Sequence, residues 1–465
     1  VIYDKSLDEL LHKVWEGKRV SQTEALRLYS LPLEELGALA DRRRQLAKAN
    51  DFNGRGNQVV TYIVDRNVNY TNVCNVYCKF CAFYRVEKDD DAYVITLDEM
   101  DKKIEETVAL GGTQILMQGG HHPKLTKQWY LDLLAHIKMK WPQVNIHGFS
   151  PSEFIHFREV FNEPLEKIIG DFAKAGLGSI PGGGGEILVD RVRQRISPLK
   201  AMSDDWLEVM DVAHRLGLYS SATMMFGHVE TIEDRIEHLE RLRAQQDISL
   251  KRRTDFQHAH EPSSPPRQHP LPLGGEGRGE NSPKNSRIEP RNLTLVGGLL
   301  SNSSCPLAVP SPLPLDGRGE GQGEVRVHGE GAGLDFEVHG EVEHLVTPVL
   351  PGHFTAFICW TFQAEHTKLK APTVGAHEYL RTQALGRIYL DNFTNVQSSW
   401  VTQGQEIGQI ALKYGANDLG SIMIEENVVS QAGTTFRMTV ADMQRLIKDL
   451  GYEPHQRDNW YRLLN

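Results

Sequence analysis

The sequence is short of cysteine, has no long apolar run and carries no excess of positive charge. Five cysteines in 465 residues cannot supply the disulfide framework of a cysteine-rich secreted protein. No apolar stretch approaches the ~20 residues needed to span a bilayer. The opening residues mix Asp4, Asp8, Glu9 and Lys13 with apolar positions and lack a signal-peptide core. A net charge of -10 and a pI near 6.0 give no basic surface for nucleic acid or anionic lipid. These absences point to a soluble, cytoplasmic protein of a reducing compartment, with no nucleic-acid or membrane partner.

What is present is concentrated in one stretch, Cys74-Asn-Val-Tyr-Cys78-Lys-Phe80-Cys81. Three of the five cysteines fall there, while Cys305 and Cys359 lie far away. Thiolates suit soft iron, and iron–sulfur clusters are usually held by four of them. Three ligands on a four-iron cluster leave one iron free to bind something else. A structural zinc site would want a second cysteine pair, which the sequence lacks. A redox Cys-x-x-Cys motif would have no use for Cys74. The spacing, with an aromatic before the last cysteine, resembles the cluster loop of radical SAM enzymes.

The rest of the chain alternates. Residues 1–58 read as a helical lead-in, with Ser21 and Glu24 as a capping box. Strands are expected to start at residues 59, 113, 144, 178, 220, 354, 395 and 421, with helices between them. The expected strands include 395–401 and 421–424. The pattern breaks between 248 and 352, where 28 of 105 residues are Gly or Pro. Within it, Pro270-Leu-Pro-Leu-Gly-Gly-Glu-Gly-Arg-Gly-Glu280 nearly recurs as Pro312-Leu-Pro-Leu-Asp-Gly-Arg-Gly-Glu320. A segment that buries so little is expected to be a low-complexity, disordered insert. Strands 1–5 then occupy 59–247, and strands 6–8 with a C-terminal helix occupy 353–465. Eight βα units fit an α/β (β/α)8 barrel of the TIM type.

In such a barrel the site lies at the C-terminal ends of the strands. Those ends carry Gly119, Gly120, His121 and His122, then Glu153, the glycines 182–185 with Glu186, then His228 and Glu230, and Glu425 with Glu426. The glycine run lacks the lysine of a phosphate-binding loop and reads instead as a turn that clears room for a ligand. Arg191 and Arg195 are either carboxylate-binding or solvated helix charges. Some of the glutamates can be helix N-terminal residues rather than site residues.

Taken together, several motifs resemble the menaquinone and deazaflavin branch of radical SAM enzymes, and within it the dehypoxanthine futalosine cyclases. They are Asn69-Tyr-Thr-Asn-Val-Cys74, Cys78-Lys-Phe-Cys-Ala-Phe-Tyr-Arg85, His147-Gly-Phe-Ser-Pro151, Ile180-Pro-Gly-Gly-Gly-Gly-Glu186, Thr223-Met-Met-Phe-Gly-His-Val-Glu230, Gln397-Ser-Ser-Trp-Val-Thr-Gln403 and Glu425-Glu-Asn-Val-Val429. The chain departs from that family in the long insert and in Cys359, where a proline is expected before Trp360. The resemblance implies a 4Fe–4S cluster on Cys74, Cys78 and Cys81, with S-adenosyl-L-methionine on the open iron. It implies Phe80, Gly119, Gly120, Glu186 and Arg191 as contacts to that cofactor. The reaction implied is hydrogen abstraction from dehypoxanthine futalosine, addition of the sugar radical to the benzoate ring, and loss of an electron and a proton. A flavodoxin or ferredoxin would supply the initiating electron. Glu153, His228 and Glu230 are the candidate bases for the proton. The rival readings are an aminofutalosine synthase or deazaflavin synthase subunit and, from another class, a non-catalytic iron–sulfur or zinc protein.

Overall fold

The architecture follows from strands that are buried on both faces, as parallel strands between a lumen and covering helices must be. The computed structural model describes residues 7–260, 349–434 and 436–464. Ten strands are formed: Val59–Ile63 (β1), Asp65–Asn69 (β2), Gln114–Gln118 (β3), Asn145–Gly148 (β4), Leu177–Ile180 (β5), Tyr219–Phe226 (β6), Phe354–Thr361 (β7), Asn395–Gln397 (β8), Asp418–Ser421 (β9) and Glu453–Gln456 (β10). All neighbouring pairs are parallel, in the order β10-β1-β9-β8-β7-β6-β5-β4-β3-β2.

The barrel closes because β2, at one end of that order, and β1, next to β10 at the other, are halves of one bent strand. Across the bend, Thr113 N–H donates to Val64 O at 3.3 Å on one side. On the other, Ile422 N–H donates to Ile63 O at 3.1 Å and Ile424 N–H to Asp65 O at 3.3 Å. Counted once, the bent strand joins β3 to β9 as an eight-stave barrel, the (β/α)8 architecture expected from the alternation. The covering helices present buried residues such as Ile104, Leu134, Phe172, Trp206, Leu239 and Leu385 to the sheet. The lead-in is helical, and Pro32 heads the helix Leu33–Lys48.

Four expectations change. First, β10 is an additional strand. Glu453-Pro-His-Gln shows no alternation, and its four residues are only half-buried, so backbone pairing with β1 alone makes it a strand. Second, the strand expected over 395–401 ends at Gln397, and Trp400–Gln403 is a helical turn. Third, the last barrel strand lies three residues earlier than 421–424. Fourth, residues 248–259 do not belong to the insert, because the helix Ile232–Ala259 runs on through them. No Gly or Pro interrupts that helix, a fact hidden when composition is averaged over 105 residues. The low-complexity reading of 261–348, including the near-repeat, lies outside the described residues.

Both flanks of 261–348 are fastened at the N-terminal ends of the strands. Arg253 Nη1 donates to Pro351 O at 2.9 Å and to Tyr219 Oη at 2.8 Å. Gly352 N–H donates to His214 O at 2.8 Å, and Gln246 accepts from Phe354 N–H at 2.9 Å. The active-site end of a barrel is the other one. Replacing 261–348 by a short Gly/Ser linker is therefore expected to leave the thermal melting midpoint and the iron content unchanged. A lower midpoint or loss of iron would show that the segment is part of the folded enzyme.

Candidate active site

The C-terminal strand ends open on a cavity of about 420 Å³. Cys74, Cys78 and Cys81 all line it. Their loop leaves β2 and is closed at its stem by Cys74 N–H to Arg85 O, 3.0 Å, and Arg85 N–H to Asn72 O, 2.8 Å. Its tip is pinned by Lys79, whose N–H donates to Ile196 O at 2.9 Å and whose O accepts from Leu369 N–H at 2.8 Å. Within the tip, Cys81 N–H turns back to Cys78 O at 3.2 Å. Burial pushes the Cys78 thiol up to about 12 and the Cys81 thiol upward as well. Thiols held so far from ionisation are poor nucleophiles, and a bound metal is the natural way to deprotonate them. Among the described residues no three His, Cys, Asp or Glu side chains converge on a single-ion site. Three cysteines on one loop bordering a cavity are the donor type that iron–sulfur clusters take.

Gly119 and Gly120 also line the cavity, but their lack of a side chain serves the protein itself. A Cβ on Gly119 would lie 2.6 Å from the Tyr70 ring, and one on Gly120 would lie 2.2 Å from Val73 O. The end of β3 is thereby pressed against the root of the cysteine loop, and Asn75 N–H donates to His121 O at 3.2 Å across the same seam.

Phe80 and Glu186 face the cavity together with a residue that sequence reasoning missed, Lys200. Lys200 Nζ lies 2.8 Å from Glu186 Oε1 and 5.2 Å from the centre of the Phe80 ring. Burial alone would lower its pKa, but Glu186 and Cys78 outweigh that and raise it. Lys200 is thus a fixed positive charge beside the cysteine loop. No motif spacing announces it; it follows the glycine loop after a short helix. Glu186 is 6% exposed, at φ +32°, and its Oε2 has no hydrogen-bond partner, with Arg193 Nη1 4.0 Å away. An orphaned acceptor beside three thiols is the feature a ligand with hydroxyl or ammonium donors would complete, so these residues fit a cluster with S-adenosyl-L-methionine.

Arg191, Glu153, His228 and Glu230 are placed differently. Arg191 lies outside the cavity wall, half-exposed, with Nη2 2.6 and 2.5 Å from the Asp234 carboxylate oxygens. The neighbouring Arg193 is the buried one, and it holds the glycine loop by donating to Gly185 O at 2.8 Å and Gly184 O at 3.0 Å. His228 and Glu230 do not line the cavity either. Glu230 accepts from Gly227 N–H at 2.7 Å, His228 N–H at 2.9 Å and Arg235 Nε at 2.9 Å, and His228 Nε2 donates to Met225 O at 3.1 Å. Glu153 does touch the cavity, but it accepts from Tyr70 Oη (2.8 Å), Gly119 N–H (3.0 Å), Ser150 N–H (2.6 Å) and Ser150 Oγ (2.6 Å). It is the second half of a capping box, and burial raises its pKa against those bonds. None of the three presents an unengaged acceptor to a substrate.

Glu153→Gln is expected to destabilise the fold by about 2 kcal/mol or more, since the amide turns a donor toward other donors in a buried site. Thermal melting checks this. An unchanged midpoint with lost turnover would instead mark Glu153 as the base.

The chain has full-length relatives. Residues 68–242 match the family model of the Radical SAM superfamily, and residues 351–465 match the CofH/MqnC C-terminal region. The cyclic dehypoxanthine futalosine synthase of Halalkalibacterium halodurans is 33% identical over 461 residues, covering 99% of this chain and 95% of that relative. That of Streptomyces coelicolor is 35% identical over 463 residues, covering 98% and 89%. The aminodeoxyfutalosine synthase of Thermus thermophilus is 29% identical, covering 99% and 96%. Among solved structures, methylornithine synthase (PylB) superposes with a TM-score of 0.57 at 13% identity, covering 96% of this chain and 97% of the other, a likeness of fold. The chain belongs to the cyclic dehypoxanthine futalosine synthase family of radical SAM enzymes.

Proposed function

We infer that this chain is a radical SAM cyclase that converts dehypoxanthine futalosine to its cyclic form in the futalosine pathway of menaquinone biosynthesis. The observation that carries the reading is 33–35% identity to two such synthases over nearly the whole chain, together with a cysteine loop that lines the barrel cavity. Cys74, Cys78 and Cys81 are proposed to hold a 4Fe–4S cluster. When bound, the cluster and S-adenosyl-L-methionine supply a carbon radical able to abstract hydrogen.

The remaining work falls to the protein. Glu186, through its unpartnered Oε2, is proposed to accept from the ribose or amino group of the methionine cofactor. Lys200 holds the other oxygen of Glu186 and offsets the negative charge of the thiolates. Phe80 supplies an apolar wall beside that pair, and the Gly119–Gly120 backbone borders the amino group. Arg191 sits outside this arrangement, so the cofactor carboxylate is better served by Lys200. For the final proton, Glu153, His228 and Glu230 are already engaged, and acceptance falls to another cavity group or to water. A one-electron donor such as a flavodoxin or ferredoxin is proposed to start each turnover. A reducing cytoplasm suits an oxygen-labile cluster. No helix among the described residues is long and apolar enough to cross a membrane.

Two tests bear on this reading. Cys74→Ala, Cys78→Ala and Cys81→Ala should each lose the cluster, read as iron content and visible absorbance. Cys359→Ala should keep it, because Cys359 is a buried residue of β7 that does not line the cavity, with its Sγ 3.1 Å from Gln383 Oε1. An intact cluster in any of the first three variants would overturn the ligand assignment. In an anaerobic assay with dehypoxanthine futalosine, S-adenosyl-L-methionine and a reductant, a product two hydrogens lighter than substrate should form along with 5′-deoxyadenosine. If 5′-deoxyadenosine appears only when two separate molecules are supplied for joining, the substrate assignment fails.

A further inference from the structure

Below the level of the cysteine loop the barrel lumen is polar, and its side chains form one directed chain of hydrogen bonds. The strand register explains why they meet. Asp65 of β2 is level with Gln114 of β3, Gln114 with Asn145 of β4, and His147 of β4 with Ser179 of β5. Asp65, Gln114 and His147 line the cavity. All five residues are less than a tenth exposed.

The directions follow from the carboxylate. Asp65 takes the Ser421 hydroxyl on Oδ1 and Gln114 Nε2 on Oδ2, the latter at 2.9 Å. An acceptor-only group there forces Gln114 to present its amide nitrogen, which turns its oxygen to Asn145. Asn145 Nδ2 donates to Gln114 Oε1 at 2.9 Å and to Ser179 Oγ at 3.1 Å. With its oxygen already accepting, Ser179 has its own proton left for His147 Nδ1, 2.8 Å away. The imidazole must then carry its proton on Nε2. That nitrogen has no hydrogen-bond partner among the described residues, on a side chain that lines the cavity.

We propose that His147 is a substrate-binding residue, an uncharged hydrogen-bond donor through Nε2–H to a neutral carbonyl-type oxygen at the deep end of the substrate. Burial, reinforced by Arg457, pulls the His147 pKa down to about 3, so the ring stays neutral at working pH. The groups around it are already engaged. Arg457 pairs with Asp418, with Nε to Oδ2 at 2.7 Å and Nη2 to Oδ1 at 3.0 Å, and Asp65 accepts from Ser421 and Gln114. An uncharged donor left open in a floor whose charges are engaged suits an uncharged acceptor, a carbonyl oxygen, better than a carboxylate. By register His147 is level with Leu116 and Asn67, two residues before the end of β2 from which the cysteine loop leaves, so the donor lies on the floor side of that loop. The identity of the substrate rests on the function proposed above; the tautomer does not.

The experiment has two independent arms. In the full-length protein carrying its cluster, labelled with ¹⁵N-histidine, the His147 ring signals are identified by their loss in His147→Gln. They should show a neutral Nε2–H ring that does not titrate between about pH 6 and 8. Ser179→Ala should release the constraint and bring in the Nδ1–H form. A wild-type ring protonated on Nδ1 would overturn the proposal, for it would mean that the chain runs in reverse from a protonated Asp65. In steady-state assays with dehypoxanthine futalosine, His147→Phe should raise KM about tenfold or more while changing kcat far less. His147→Gln, which keeps a donor, should recover most of the loss. An unchanged KM in a His147→Phe protein that retains its iron and its melting temperature would also overturn it. If the wild type does not turn over this substrate, the functional reading fails, and the ring signals still decide whether His147 offers a donor.

Discussion

The carboxylate of Glu153 accepts from groups at the ends of three adjacent strands: Tyr70 after β2, Gly119 after β3 and Ser150 after β4. Each of those ends then reaches the cysteine loop. Tyr70 is four residues ahead of Cys74 in the chain. Gly120, next to Gly119, donates its N–H to Thr71 O at 2.9 Å and lies too close to Val73 for any side chain. A carboxylate that is 1% exposed with four donors is costly to disturb, since removing it strands several buried N–H and O–H groups at once. The position of the three thiols relative to the barrel therefore depends on a buried carboxylate whose acceptors are already engaged. An enzyme that must bring a radical to one carbon of its substrate needs that rigidity, because misplacement by about 1 Å can cost ~100-fold in rate.

Electrostatics divides the cavity into two ends. Near the loop, Lys200 supplies a cation beside Cys78, and Glu186 balances it. An ion pair this deep would be a weak source of stability by itself, because desolvation offsets most of the Coulomb attraction. It is better understood as preorganised charge, already in place when the bound cluster and cofactor bring theirs. At the other end the groups are Asp65, Gln114 and His147, linked through strand register, with fixed donor directions instead of mobile charge.

Much of this was legible in the sequence, and the exceptions have physical causes. The cysteine loop was, because its chemistry lies in local spacing. So was the barrel, because seven of its eight staves are separate short strand segments alternating with helices. The bend at Val64 was not, since 59–69 looks the same whether straight or folded around a closing seam. Strand β10 carries no apolar alternation and exists through backbone pairing alone. Of the strand-end glutamates, Glu153 and Glu230 look like bases in sequence and are capping and bracing groups in space. The signal was present in Ser150-x-x-Glu153, which reads as a capping box as readily as a site. Lys200 lies on a loop outside every motif, and the Asp65-to-Ser179 chain is spread over four strands that only register brings together.

The floor of the barrel shows why the last residues matter to a radical enzyme. Beyond β10, Arg457 turns inward and pairs bidentately with Asp418, while its N–H donates to Tyr62 O at 2.9 Å. Asn459 and Tyr461 follow it into the cavity wall. Arg457 and Asp418 are both nearly inaccessible, so the pair gains little net stability over an apolar plug. What it adds is a specific closure. A carbon radical formed at the loop end would be quenched by stray hydrogen donors, so the lumen must admit substrate from one side only. The segment that pairs with β1 also places a guanidinium in the cavity wall at the floor end. Its charge adds to the burial that keeps His147 neutral, which ties the group proposed to bind substrate to the segment that follows β10.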